Sequence, residues 1–280
     1  MTSKNPINKI FDMAFGYIND YVNKRQDGQD FFELNPVSIT LPRLSQVFEG
    51  YRLVQISDIH IGTWMNKERL AAVVDKINQL NPDLVAITGD FVSYEPANFE
   101  MDLVEELSEL SANDGKVAIL GNHDHWTDPE MIRAILRQSG ITDLSNTICS
   151  VKRDGAMLHF AGVDDVLEDL DNLEHVLDQL PEEGSAILLA HEPDFAERSA
   201  RSGRFDLQIS GHTHGGQVNF PWIGPVVLPP RGRRYPLGRY QINGMVQYTN
   251  RGLGTTYLQL RINCDPEITV FTLHSNNHQA

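Results

Sequence analysis

Cysteine is scarce in this chain. Cys149 and Cys264 lie far apart and form no C-x-x-C pair, so no disulfide framework is expected. A chain of 280 residues buries a core large enough to fold without one. The two cysteines therefore read as free buried thiols in a reducing cytoplasm, with a disulfide as the alternative. Basic residues are also in short supply: 23 Lys and Arg against 38 Asp and Glu give a formal charge of −15. That deficit argues against general nucleic-acid binding, which rests on neutralising phosphates. It does not exclude phosphate substrates, because bound dications would reverse the local field. No stretch approaches about 18 uninterrupted apolar residues, so no membrane-spanning helix is expected. Residues 7–18 are interrupted by Asn8, Lys9 and Asp12 and make no signal-peptide core. Internal repeats and low-complexity tracts are absent too. A soluble, cytoplasmic protein is the expectation.

What is present begins with a helical stripe at residues 4–25: Ile7, Ile10, Phe11, Ala14, Phe15, Ile18, Tyr21 and Val22. Such a helix would dock on its own domain or lie in a membrane interface, with disorder as a third reading. Residues 1–30 are thus set apart as an amphipathic helix and linker. From 37 to 273 the texture is that of one α/β domain. Apolar strand runs at 37–41, 53–56, 84–87 and 117–120 take turns with helical stripes at 66–80, around Leu103 to Leu110, and after the cap Asp128-Pro129. Further strands are expected at 158–161, 186–190 and 207–209. Beyond 217 the pattern becomes mostly β, with candidates at Val218, Val226-Val227-Leu228, 245–248 and 268–271.

Five of the apolar runs are followed directly by short polar strings: Asp58-Ile59-His60, Gly89-Asp90, Gly121-Asn122-His123-Asp124, His191, and Gly211-His212-Thr213-His214. In open α/β sheets, ligands bind beyond the carboxyl ends of strands, where these strings fall. Any one of them alone is weak, and a lone histidine at a strand end is commonly structural. Together they collect carboxylate, amide and imidazole donors, which suit Mn, Fe or Zn better than Ca or Mg. Two such ions, about 3.5–4 Å apart, clamp the attacking and leaving oxygens of a displacement at phosphorus and make hydroxide accessible at neutral pH.

The same series resembles the calcineurin-like metallophosphoesterase superfamily. The longer strings Ile56-Ser57-Asp58-Ile59-His60-Ile61-Gly62 and Gly211-His212-Thr213-His214-Gly215-Gly216-Gln217 are similar to its bacterial branch of YkuE- and YaeI-like phosphodiesterases. Arg251-Gly252-Leu253-Gly254 and Pro266-Glu267-Ile268 fit that branch as well. The resemblance implies a four-layer α/β/β/α sandwich with a dinuclear site at the strand C-terminal ends. Carried over by motif position, Asp58, His60 and His214 would hold one metal; Asn122, His191 and His212 would hold the other, with Asp90 bridging. Two divalent ions are implied, manganese first, with iron or zinc as alternatives. His123 would not ligate but would donate a proton to the leaving group or stabilise phosphoryl charge, and Asp124 would orient its imidazole. One departure stands out: the family string G-D-x-x-D is here Gly89-Asp90-Phe91-Val92-Ser93, which puts the outer hydrogen bonding in doubt.

The function implied is hydrolysis of a phosphodiester or pyrophosphate bond by hydroxide attack on phosphorus. Lipid-linked diphosphates such as UDP-diacylglucosamine are candidate substrates, and the N-terminal helix would give peripheral contact at the inner membrane face. A phosphomonoesterase or protein phosphatase is the alternative enzyme. A non-catalytic metal-binding scaffold or membrane-tethering protein is the alternative of another class, disfavoured because His123 and all seven ligand positions are retained. For substrate recognition, Arg231, Arg233, Arg234 and Arg239 could grip a second phosphate or an anionic lipid surface, or form a solvated turn. Trp64 and Trp126 could stack on a base or sugar, or pack at the core or rim.

Overall fold

Strands buried on both faces build the layers. In β2 (Tyr51–Ile56), β3 (Leu84–Thr88) and β4 (Lys116–Ile119), successive side chains go to opposite faces. Leu53, Leu84, Ala86, Val117 and Ile119 enter one apolar cluster; Val54, Ile56, Val85, Ile87 and Ala118 enter another. The structure, a computed structural model, describes residues 31–62, 64–93, 99–220, 222, 224–256 and 259–276. The expected helix at 4–25, and with it the 1–30 segment, lies outside the described residues.

The second cluster covers the outer face with α1 (Lys67–Gln79), α2 (Glu100–Glu109) and α4 (Pro129–Gln138), through Leu70, Val73, Leu103, Leu107, Ile132 and Ile135. Local chemistry starts two of these helices. Asn66 caps α1 by accepting from Arg69 N (3.0 Å), and Asp128 caps α4 by accepting from Met131 N (3.1 Å), with Pro129 in the first turn. The short α3 (Asn122–Thr127) intervenes directly after β4.

The chain then repeats the plan in a second sheet. Its strands are β6 (Thr147–Arg153), β7 (Ala156–Gly162), β8 (Ser185–Leu189), β9 (Leu207–Ser210), β12 (Gly238–Ile242) and β13 (Met245–Thr249), in the order β12-β13-β9-β8-β7-β6. With β1 (Glu33–Leu41), β5 (Thr142–Asp143) and β14 (Glu267–Ser275), the first sheet runs β1-β14-β2-β3-β4-β5. Leu158, Phe160, Ile187, Leu189, Leu207 and Ile209 meet the first sheet across the central core. Ala186, Leu188 and Ala190 point outward onto α5 (Leu173–Gln179) and α6 (Ala196–Arg201). The result is the expected four-layer α/β/β/α sandwich.

Most strands lie where the apolar runs put them. The exception is Val226-Val227-Leu228, expected as a strand. It joins no ladder, and Val226 and Val227 are exposed. Pro225, Pro229 and Pro230 flank it and remove backbone donors on both sides. Val218 makes only an isolated bridge with Ile262, beside the two-residue strands β10 (Asn219–Phe220) and β11 (Gly224–Pro225). Both cysteines are free thiols, and burial pushes the Cys149 thiol up to about 11. Among the described residues, no helix is long and apolar enough to cross a membrane.

Two polar contacts clamp the sheets together near the strand ends. Gln55 Nε2 donates to Thr88 Oγ1 (2.9 Å) in its own sheet and to Ser210 O (3.0 Å) in the other. Glu267 accepts from Tyr248 OH (2.5 Å), Thr269 Oγ1 (2.7 Å), Asn35 Nδ2 (3.0 Å) and Arg251 Nε (2.7 Å), and Arg251 reaches on to Glu33 (2.7 Å). Burial pushes the Glu267 carboxyl up, but Arg251 and the hydroxyl donors outweigh it and hold the group below its ordinary 4.5. Arg251→Met strands this carboxylate and should cost about 3–5 kcal/mol in urea unfolding at neutral pH. A depressed carboxylate stabilises the fold above its unfolded value and loses that contribution as pH falls. The difference between parent and variant should therefore shrink below about pH 4.5.

Candidate metal centre

Five loops converge at the C-terminal ends of β2, β3, β4, β8 and β9, and backbone hydrogen bonds lock them side by side. Asp58 N donates to Gly89 O (2.9 Å) and His60 N to Asp90 O (3.1 Å). Leu253 N and Gly254 N donate to Ser57 O (2.9 Å) and Asp58 O (2.7 Å), so Arg251-Gly252-Leu253-Gly254 packs under the first string. Asp58, His60, Asp90, His212 and His214 all take positive φ, between 46° and 70°. Side chains other than glycine adopt that region at a cost of about 1–2 kcal/mol each. Five of the seven expected ligands are thus held in unfavourable backbone, as happens where a fold over-determines a functional site.

The side chains meet in two buried groups. Ligand atoms of Asp58, His60, Asp90 and His214 lie within 4.8 Å of one another, as do those of Asp90, His191 and His212. Asp90 belongs to both. Its Oδ2 stands 3.4 Å from His60 Nε2 and 3.2 Å from His191 Nε2, while its Oδ1 accepts from His123 N (2.9 Å). His214 Nε2 is 3.1 Å from His60 Nε2 and 3.3 Å from Asp58 Oδ1. Asn122, an amide donor, lines the same cavity as Asp90, His212 and His214.

The donors are aimed by their outer partners. His191 Nδ1 donates to Thr88 O (2.6 Å), which turns Nε2 inward. His212 Nε2 donates to Pro230 O (2.9 Å), so this ring presents Nδ1. Ser93 Oγ stands 3.3 Å from His60 Nδ1, so the residue that departs from the family string still sits behind a ligand. Burial pushes His212 down to about 4, and burial with His60 and Arg261 holds His214 well below the ordinary histidine range. Neutral imidazole is the ligating form. Burial opposes the charge on Asp90, but His191 and His60 overcome it and hold the carboxyl well below its usual range.

These residues fit divalent metal. Asn122 Oδ1 and His191 Nε2 are buried with no hydrogen-bond partner in the chain, which is costly unless something else satisfies them. The mixed carboxylate, amide and imidazole set suits a transition metal.

His123 lies outside both groups but lines the cavity, its ring 4.8 Å from those of His60 and Trp126. Asp124 was expected to orient this ring. His123 Nδ1 bonds Ser93 O (2.9 Å). Asp124 instead accepts from the backbone of Asp90 (2.9 Å), Phe91 (2.8 Å), Val92 (3.4 Å) and Gly121 (3.0 Å), fixing the loops that carry Asp90 and His123. Of the two tryptophans singled out, Trp126 borders the cavity and donates to Glu168 (2.7 Å), whereas Trp64 packs on Phe31 and under Arg69. Arg234 pairs with Glu197, while Arg231 and Arg233 extend to solvent. Arg261 is a further residue at the centre, behind His214. Its buried guanidinium donates to Arg251 O, Gly254 O and Cys264 O and stands 3.3 Å from His214 Nδ1. No local pattern marks it, because its partners are backbone carbonyls, those of Arg251 and Gly254 lying in another loop.

Comparison with known proteins agrees with this geometry. The family model described as calcineurin-like phosphoesterase matches residues 51–216. The chain is 38% identical over 234 residues to the uncharacterized metallophosphoesterase YkuE of Bacillus subtilis, covering 82% of this chain and 81% of that one. It is 29% identical over 230 residues to the phosphodiesterase YaeI of Escherichia coli, covering 80% and 82%. The solved sulfate thiohydrolase SoxB of Thermus thermophilus shares the fold, with a TM-score of 0.50 at 12% identity over 81% of this chain and 57% of that one.

A Cβ added at Gly211 would overlap Ser57 Oγ and Asp58 Oδ2. Gly211→Ala should therefore displace Asp58 and weaken metal retention about tenfold or more, read by elemental analysis after dialysis. Its circular dichroism should match the parent's.

Proposed function

Because the chain belongs to the calcineurin-like phosphoesterase family and is a hydrolase of phosphoric esters, we propose that it cleaves a phosphodiester or pyrophosphate bond at a dinuclear centre. The observation that carries this reading is Asp90, whose one carboxylate is shared by two groups of ligand atoms beside the cavity. Asp58, His60, His214 and Asp90 would hold one ion; Asn122, His191, His212 and Asp90 would hold the other, manganese being the first choice. When bound, the ions supply Lewis acidity toward the phosphoryl oxygens and activate water at neutral pH.

The chain's own groups do the rest. Ser93 O fixes the His123 ring through Nδ1 and assigns Nε2 to proton transfer, either to the leaving oxygen or as a donor to a phosphoryl oxygen. Burial lowers the His123 pKa, which makes its protonated form a stronger acid. Asp124 is a positioning residue, acting through the backbone of Asp90 and Gly121. The cavity, about 430 Å³, is polar at the metal ligands and apolar along Trp126, Leu167, Val227, Leu228, Pro229 and Pro230. That division supports a substrate with an apolar group near its phosphorus, such as a lipid-linked diphosphate, met at the inner face of a membrane. A domain spanning 37–273 would carry the chemistry and residues 1–30 a membrane contact.

Stripping metal with chelator and restoring Mn²⁺ should restore turnover of bis-p-nitrophenyl phosphate in preference to p-nitrophenyl phosphate. His123→Ala should lower kcat by about 10²–10⁴ with metal content unchanged. Absence of metal-dependent turnover of either substrate or of pyrophosphates would sink the hydrolytic reading, and loss of metal from His123→Ala would refute the role given to that residue.

A further inference from the structure

Nine large apolar side chains are exposed among the described residues, and four of them, Phe220, Trp222, Val226 and Val227, fall within eight positions. Trp222 is fully exposed, and Val227 is 72% exposed. These residues belong to the β10–β11 hairpin and to the apolar run after it that joins no strand. Beside them is the one arginine-rich tract of an acidic chain. Arg233 lines a shallow surface hollow with Pro225, Val226, Val227 and Leu228. Asp194 anchors the tract's backbone by accepting from Arg233 N (3.1 Å) and Arg234 N (3.0 Å) and by donating its own N–H to Arg231 O (2.9 Å). Arg231 and Arg233 are exposed, and neither side chain has an ion-pair partner among the described residues.

This face is continuous with the catalytic cavity. Val227 and Leu228 line both the cavity and the outer hollow. Gly216, two residues after His214, would clash with Pro225 if it carried a Cβ, so the hairpin lies flush on the turn that carries a ligand. Pro230 O, at the far end of the run, holds His212.

We propose that Phe220, Trp222, Val226 and Val227, with Arg231 and Arg233, form a docking face for an anionic bilayer surface. The apolar side chains enter the headgroup region and the two guanidinium groups bind lipid phosphates, which turns the cavity mouth toward the membrane. Local chemistry selects this occupant. Within a Debye length the exposed Arg231 and Arg233, not the net charge of −15, face the bilayer, and their guanidinium groups match a dense array of lipid phosphates beside the exposed apolar side chains. A tryptophan beside cationic groups suits the interface between headgroups and acyl chains. The purpose of the face rests on the phosphoester reading above; the binding itself does not.

The test is flotation of the full chain with phosphatidylcholine vesicles, with and without phosphatidylglycerol, at low and high salt. The chain should float with the anionic vesicles, less at high salt. Arg233→Glu should lower partitioning about fivefold or more, and the Phe220→Ser/Trp222→Ser pair about tenfold or more. Both variants should hydrolyse soluble bis-p-nitrophenyl phosphate as the parent does, which also shows that they are folded. Trp222→Phe should abolish a vesicle-induced blue shift in tryptophan emission. Failure of the parent to float with either vesicle overturns the proposal, as does undiminished flotation of the variants. A dimer dissociated by Phe220→Ser/Trp222→Ser, with no flotation, overturns it in favour of self-association. Flotation without turnover of the soluble diester would uphold the docking face while removing the hydrolytic reading.

Discussion

One carboxylate organises the centre without belonging to it. Asp124 is fully buried and gathers the backbone N–H groups of Gly121, Asp90, Phe91 and Val92, drawn from the loops after β3 and β4. Burial and the neighbouring Asp90 push this carboxyl up to about 7, against the pull of the Gly121 and Phe91 amides, and even as ordinary hydrogen bonds its contacts contribute about 0.5–1.5 kcal/mol each. The loops fixed in this way bring Asp90 between two sets of imidazoles and set the His123 amide on its other oxygen. A shared carboxylate is useful only if its position is not negotiable, and here the backbone on both sides of it is tied down.

The left-handed conformations of five ligand positions show what the rest of the sandwich must supply. Strand-end residues bent in this way would relax if the surrounding structure gave them room. Three apolar layers, together with the Gln55 and Glu267 clamps between sheets, deny that room. Stability is concentrated in the strands and helices, and the strain sits at their ends.

Much of this was legible in the sequence, for a specific reason. Buried parallel strands such as Leu84-Val85-Ala86-Ile87 are continuous apolar runs, and the polar residues that follow them have no structural reason to be there in such numbers. The donor residues therefore stood out. Relationships carried by the backbone did not. Asp124 sits beside His123 in sequence, which suggested that one orients the other, yet three of its four amide partners lie about thirty positions away. Arg261 gave no signal at all, because carbonyl acceptors are the same in every residue. Val226-Val227-Leu228 misled because β-branched apolar composition favours a strand, whereas proline on both sides withholds the donors a ladder needs.

The first strand of the sandwich has a consequence for how the molecule is made. β1 pairs in parallel with β14 from Glu33↔Glu267 to Leu41↔Ser275, and Asn35 bonds Glu267 across 232 positions. During synthesis β1 therefore emerges with no neighbour, and β2 keeps an open edge until the last strand arrives between them. Contacts of such long sequence separation form late and slowly, and unpaired edges invite association with other chains. The loop beneath Asp58 is bonded to the same Glu267, so the centre cannot close before that strand is in place. The metal ligands are all translated before it, yet they become a site only with the final insertion.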